Sequence, residues 1–327
     1  MAAGVPADTG QLMKCRASYA GPRRASWRVV LPWLLAIAFV GVAEPQEPPP
    51  FRILVDVNLV VLQVSVRDRK GFVSDLHEPD FQIFEDGARQ SISLFRHEDV
   101  PVTVGLVVDH SGSMKPKLRD VIAATRTFVH SSNPEDQMFV VNFNEKVTLG
   151  LPVGLRFTDH SEELERAISG TKAAGMTALY DAVVEALERL QTGSHEKKAL
   201  IVISDGGDNA STHRLAGVLQ TVERSSALVY TIGIFDEDDP DRNPDVLRRL
   251  AQATGGEAYF PGKLDEVAPI CERIAHDIRN QYTIGYVPSS AAAAGVYRRI
   301  RVDAHEAGRG KLSVRARTGY IPSEGAH

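Results

Sequence analysis

The sequence predicts an α/β protein: a doubly wound, mostly parallel sheet, with β-rich segments before and after it that build a small sandwich. Three observations predict this. From Val102 onward, continuous apolar strands alternate with amphipathic helical segments, the pattern of a parallel sheet covered on both faces. Before Val102 and after Tyr282 the chain falls into short runs with period-two alternation, the mark of half-buried antiparallel strands. Two of the apolar strands run directly into an acid, Asp109 and Asp205, at the strand ends where such sheets bind ligands.

Taken in order, residues 1–43 read as an export signal. Arg23, Arg24 and Arg28 precede an apolar run from Val29 to Val42, and Gly41-Val42-Ala43 supplies the small residues of a cleavage site. The run is shorter than the roughly 20 residues a spanning helix needs, and Pro32 interrupts it, so no membrane span is expected in the mature chain. An uncleaved N-terminal anchor is the alternative. Residues 44–50 are a Pro-rich, extended linker. Residues 51–98 carry three expected strands, at 53–66, at 80–87 ending in an Asp-Gly turn, and at 91–95. In residues 99–280, strands are expected at 102–108, 138–142, 147–151, 199–203, 228–234 and 257–260, with helices at 118–130, 179–190, 215–225, 246–253 and 267–278. Residues 281–321 return to strands at 282–287, 297–302 and 312–316. Three strands on either side are marginal alone and leave bare edges, so the two groups are expected to pair in one sandwich.

The chain of 327 residues has a net charge of −5, and −9 without the first 43 residues, which hold five basic residues and one acid. No basic patch stands out to neutralise phosphates, which argues against nucleic acid as a partner. Of two cysteines, Cys15 lies in the leader, so its removal leaves Cys271 with no disulfide partner. Cys271 shares an apolar helical stripe with Val267, Ile270, Ile274 and Ile278, as a buried core thiol does.

The chemistry gathers at the strand ends. Asp109-His110-Ser111-Gly112-Ser113 places an acid and two hydroxyls on alternate residues after a strand; Thr177 precedes a helix, and Asp205 ends another strand. Singly, each is an ordinary cap or turn residue. Together they offer three neutral hydroxyls and two negative charges, a set that suits Mg²⁺, which takes six oxygens and retains some waters. The acids would act through water or by orienting the hydroxyls. A first shell of neutral hydroxyls leaves the cation electron-poor and ready for an anionic sixth ligand, such as a partner's carboxylate. Asp208 and Asn209 follow closely, as outer-shell groups or simple turn residues.

With these residues the chain resembles a von Willebrand factor type A domain. Asp109, Ser111, Ser113, Thr177 and Asp205 match the elements of that family's metal-ion-dependent adhesion site, and the resemblance spans roughly residues 100–280. Asp80-Phe81 leading to Glu85-Asp86-Gly87, and Gln281-Tyr282-Thr283-Ile284-Gly285-Tyr286, resemble the flanks of a bacterial exported subfamily. The resemblance implies a Rossmann-like sheet with one short antiparallel edge strand. It implies Mg²⁺, or alternatively Mn²⁺ or Ca²⁺, held directly by Ser111, Ser113 and Thr177, with Asp109 and Asp205 acting mainly through water. It implies binding of a protein or peptide that offers an Asp or Glu carboxylate. His110 fills the variable position of the motif and need not bind.

Other chemistry finds less support. The acidic loop from Phe235 to Asp245 has no Gly at the sixth position and no Glu at the twelfth, as an EF-hand needs, and the ten histidines form no H-E-x-x-H pair. There is no G-x-S-x-G elbow and no phosphate loop ending in Lys-Ser/Thr. The expected function is therefore an exported adhesion-type module that is not an enzyme. A structural scaffold of the cell envelope, with the metal ordering loops, is the alternative, and a hydrolase stands third.

Overall fold

The structure is a computed structural model that describes residues 59–235, 242–290 and 295–322. The expected export signal, the linker, the start of the strand at 53–66 and the middle of the acidic loop lie outside the described residues.

The first four strands are β1 (Val60–Arg67), β2 (Phe81–Glu85), β3 (Ala88–Gln90) and β4 (Ile92–Arg96). The α/β region follows: β5 (Val102–Asp109), α1 (Leu118–Ser131), β6 (Gln137–Phe143), β7 (Val147–Leu149), α2 (Ser161–Ser169), α3 (Leu179–Gln191), β8 (Lys197–Ser204), α4 (Leu215–Arg224), β9 (Leu228–Gly233), α5 (Pro244–Thr254), β10 (Ala258–Tyr259) and α6 (Val267–Arg279). The last strands are β11 (Tyr282–Tyr286), β12 (Arg298–Ala304), β13 (Ser313–Arg315) and β14 (Gly319–Tyr320).

The central sheet has the order β10-β9-β8-β5-β6-β7. Its strands are parallel except β7, an antiparallel edge strand on β6. Every residue of β5 and of β8 is buried, as strands covered by helices on both faces must be. The chain steps from β5 to β6 on one side and later returns to β8 on the other. That reversal is the switch point at which open α/β sheets leave a crevice beyond the strand ends, and Asp109 and Asp205 border it.

The flanking strands form two four-stranded antiparallel sheets, β13-β1-β11-β4 and β14-β12-β2-β3. Strands from before and after the central sheet mix in each. β1 pairs with β11 from Val60↔Tyr286 to Val64↔Tyr282, and β2 pairs with β12 from Phe81↔Ala304 to Glu85↔Ile300. The two sheets share one core, with Leu62, Val64, Tyr282 and Ile284 on one side and Phe81, Ile83 and Ile300 on the other. A separate, larger core fills the α/β region around Leu106, Phe128, Phe139 and Tyr230.

Several details depart from expectation. The run expected as one strand at 80–87 is a short 3-10 turn, then β2, then a two-residue turn. Asp86 and Gly87 take positive φ of 48° and 86°, the conformation a tight hairpin requires. The chain then crosses at Ser91 from one sheet to the other, so β3 and β4 are sequence neighbours in different sheets. The helix α2 was not anticipated, and β14 adds a strand beyond the expected three.

β4 and β11 pair antiparallel, with Arg96 opposite Thr283. The α/β region therefore leaves the sandwich and re-enters it through two neighbouring strands. A buried polar seam braces the junction. Asp277, at the end of α6, accepts hydrogen bonds from Tyr230 of β9 at 2.9 Å, from Ser65 of β1, and from Arg315 of β13. Arg315 also pairs with Glu257, which Arg67 of β1 reaches at 3.0 Å.

Candidate metal centre

Five residues, Ser204, Asp109, Ser111, Ser113 and Asp205, line up across the β5 and β8 strand ends. Ser204 Oγ, the last residue of β8, donates to Asp109 Oδ2 at 2.6 Å, and the Ser111 amide donates to Asp109 Oδ1 at 2.7 Å. Ser111 Oγ and Ser113 Oγ lie 3.0 Å apart, and Ser113 Oγ donates to Asp205 Oδ2 at 2.5 Å. Asp205 Oδ1 accepts from the Gly207 amide at 3.0 Å. The turn that makes this possible is a single 3-10 turn over Gly112–Met114, entered from Ser111 in extended conformation.

Thr177 belongs to a third loop, tied to the other two through the backbone. The Gly112 amide donates to the Gly175 carbonyl at 3.3 Å, which joins the serine turn to the Thr177 loop. Asn209 Oδ1 accepts from the Thr177 amide at 2.9 Å, while the amides of Asn209 and Ala210 both donate to the Thr177 carbonyl at 3.0 Å. Asp208 Oδ1 accepts from the Tyr180 amide at 3.1 Å and from Ser211 Oγ at 2.5 Å. Asp208 and Asn209 are thus more than turn formers: they clamp the Thr177 loop and the start of α3 against the end of β8.

Asp109 is fully buried and Asp205 nearly so. Burial raises the Asp109 carboxyl to about 6, with Asp205's negative charge adding to the rise and the hydrogen bonds from Ser204 and Ser111 opposing it. Two carboxylates that repel each other, with hydroxyls set between them, form a donor set whose charge a divalent cation would balance. The residues present fit such an ion.

Sequence reasoning missed three supporting residues. Ser204 orients Asp109, and its signal is a hydroxyl in the residue before Asp205. Asn142, on β6, has its Oδ1 3.0 Å from His110 Nε2 and donates to the Ala167 carbonyl at 2.7 Å. His110 is accordingly a buried packing group, and burial lowers its pKa. Lys117, buried at the start of α1, donates to the Ile234 carbonyl at 3.1 Å beyond β9. Cys271 is buried and free, and burial raises its thiol to about 12.

Residues 104–207 match the family model described as von Willebrand factor type A domain. This chain contains a von Willebrand factor type A domain. The match covers Asp109, Ser111, Ser113, Thr177 and Asp205, and ends at Gly207. A curated relative, inter-alpha-trypsin inhibitor heavy chain H2 of Mus musculus, is 25% identical over 174 residues; the similarity takes in 49% of this chain and only 18% of that protein. Among solved structures, a von Willebrand factor type A protein from Catenulispora acidiphila aligns with 17% identity and a TM-score of 0.49, over 77% of this chain and 76% of that one. The corresponding domain of the type V pilus tip protein Mfa5 from Porphyromonas gingivalis aligns with 15% identity and a TM-score of 0.46, over 55% and 95%. Proximal thread matrix protein 1 of the mussel byssus, solved with zinc in its adhesion-site motif, aligns with 17% identity and a TM-score of 0.47, over 59% and 49%. Among the described residues, no helix is long and apolar enough to cross a membrane.

Proposed function

We propose that this von Willebrand factor type A domain is a metal-dependent protein-binding module that works outside the cytoplasm. Ser111, Ser113 and Thr177 would hold a divalent cation, Mg²⁺ in the first place and Mn²⁺ or Ca²⁺ as substitutes. Asp109 and Asp205 would supply the balancing charge, and Asp208 and Asn209 would steady the Thr177 loop. The bound ion supplies a Lewis-acid position that a partner's Asp or Glu carboxylate can occupy; the chain's own residues orient the hydroxyls and keep the two acids apart. In this reading residues 1–43 are a signal peptide and 44–50 a linker. The adhesion domain runs over 99–280, and the sandwich is built from 51–98 and 281–321.

The observation that carries the reading is the hydrogen-bond path Ser204–Asp109–Ser111–Ser113–Asp205 across the switch point, which enters Ser111 at its backbone amide and leaves from its hydroxyl. It joins the first shell to two buried charges, and outer-shell groups of this kind fix a metal site's geometry. The test is calorimetric titration of Mg²⁺ into the purified chain beside Asp109→Ala and Asp205→Ala. Saturable binding confined to the wild type supports the site; equal binding by all three proteins overturns it.

A further inference from the structure

At the end of the central sheet opposite the metal centre, a crevice of about 740 Å³ lies between the starts of β8 and β9 and the outer face of the β1-β11-β4 sheet. Its volume falls within the roughly 300–1,000 Å³ typical of small-molecule sites. One part of its lining is apolar. Leu59, just before β1, and Val61 are 40% and 41% exposed, and Leu94 and the buried Leu228 also line the crevice. Gly285 sits opposite Val61 and Leu94 in the strand register, and Leu59 and Leu94 close over it.

The polar lining is cationic. Lys198 is nearly buried and donates only to the carbonyls of Leu190 and Gly193, both at 3.1 Å. Arg317 donates to the carbonyls of Gly319 and Glu223. Lys197 donates to the Ile278 carbonyl. Arg96 is exposed on the sheet face. Among the described residues, none of these four cations is in a salt bridge with a carboxylate. Two acids, Glu98 and Glu196, also line the crevice, and both are exposed. Burial lowers the pKa of Lys197, Lys198 and Arg317; Asp277, Asp99 and Asp136 oppose the fall at Lys197 and Glu223 at Arg317, whereas nothing offsets it at Lys198.

We infer that this crevice binds a small amphipathic anion, an apolar chain lying along Val61 and Leu94 with a carboxylate-type head among Arg96, Lys198 and Arg317. Lys198 and Arg317 are already partly desolvated and lose little more on binding, and a carboxylate against a guanidinium forms the stronger, charge-assisted hydrogen bonds. The apolar area removed from water supplies the rest. The site is independent of the proposed metal centre and needs no cation.

The test is calorimetric titration of the full chain with decanoate, decanol and acetate, each with and without EDTA. Decanoate is expected to bind saturably at one site, at least tenfold tighter than decanol, with acetate showing no saturable binding and EDTA no effect. Arg96→Glu and Val61→Asp alter exposed positions, so both variants should melt like the wild type and bind decanoate at least tenfold more weakly. Three results would overturn the assignment: no saturable decanoate binding, decanol binding as tightly as decanoate, or unchanged decanoate binding by both folded variants.

Discussion

The carboxylate of Asp277, fully buried at the end of α6, pairs with the guanidinium of Arg315 on β13, 38 residues further along the chain. The pair joins the α/β region to the sandwich, and Ser65 and Tyr230 complete the carboxylate's hydrogen bonds. Removing one partner of a buried pair leaves an uncompensated charge. Arg315→Ala is therefore expected to cost about 3–5 kcal/mol, read as a lower urea midpoint. A loss below about 1 kcal/mol would show that Ser65 and Tyr230 suffice for Asp277.

The proposed metal site makes a graded prediction. Asp205→Ala should abolish cation-dependent partner binding with little change in melting temperature. Ser204→Ala removes the hydroxyl that orients Asp109 and accepts from the Gly206 amide at 3.0 Å, so metal affinity should fall by about 10–100-fold while the fold persists. If Ser204→Ala bound the cation like the wild type, the orienting role assigned to it would be wrong.

Gly206 tests the turn that follows Asp205. Its φ is +81°, and a Cβ there would meet the Asn243 carbonyl oxygen at 2.3 Å. Gly206→Ala must strain the backbone and displace the loop, at about 1–3 kcal/mol for the unfavourable conformation. Both thermal stability and cation affinity should drop together; a variant that loses neither would place the turn's role elsewhere.

Lys197 gives a pH signature. Burial depresses its pKa to about 8 from an ordinary value of 10.5, with Asp277, Asp99 and Asp136 opposing the fall. Below pH 8 the amine is protonated in both folded and unfolded chains, so its burial is a constant cost. Between pH 8 and 10.5 the unfolded chain holds more protons, so stability rises with pH there. Relative to Lys197→Met, the wild type should gain on the order of 3 kcal/mol across that window. Parallel pH profiles of the two proteins would refute the shift.

The strand–helix alternation and the acids at strand ends were legible because periodicity and strand-end chemistry are local. So was the mixing of early and late strands in one sandwich, since bare edges demand partners. The helix α2 escaped because Ser161–Ser169 buries only Leu164, Ala167 and Ile168, too narrow a stripe to stand out among its charges. The crossing at Ser91 escaped because alternation reports which face is buried, not which sheet a strand joins. Ser204 was hidden at the end of an apolar strand, while the seam around Asp277 joins residues as far apart in sequence as Ser65 and Arg315.

The antiparallel neighbours β4 and β11 set the mechanics of the molecule. Tension applied along the flanking strands would run through the sandwich and bypass the central sheet, leaving the proposed metal site unloaded. A partner tugging on that site would instead draw both strands the same way, from the same end of the pair. β11 would have to slide past β1 along the whole register from Val60↔Tyr286 to Val64↔Tyr282. Those bonds would be sheared together rather than unzipped one at a time, so the junction holds best against a load applied at the far end of the central sheet.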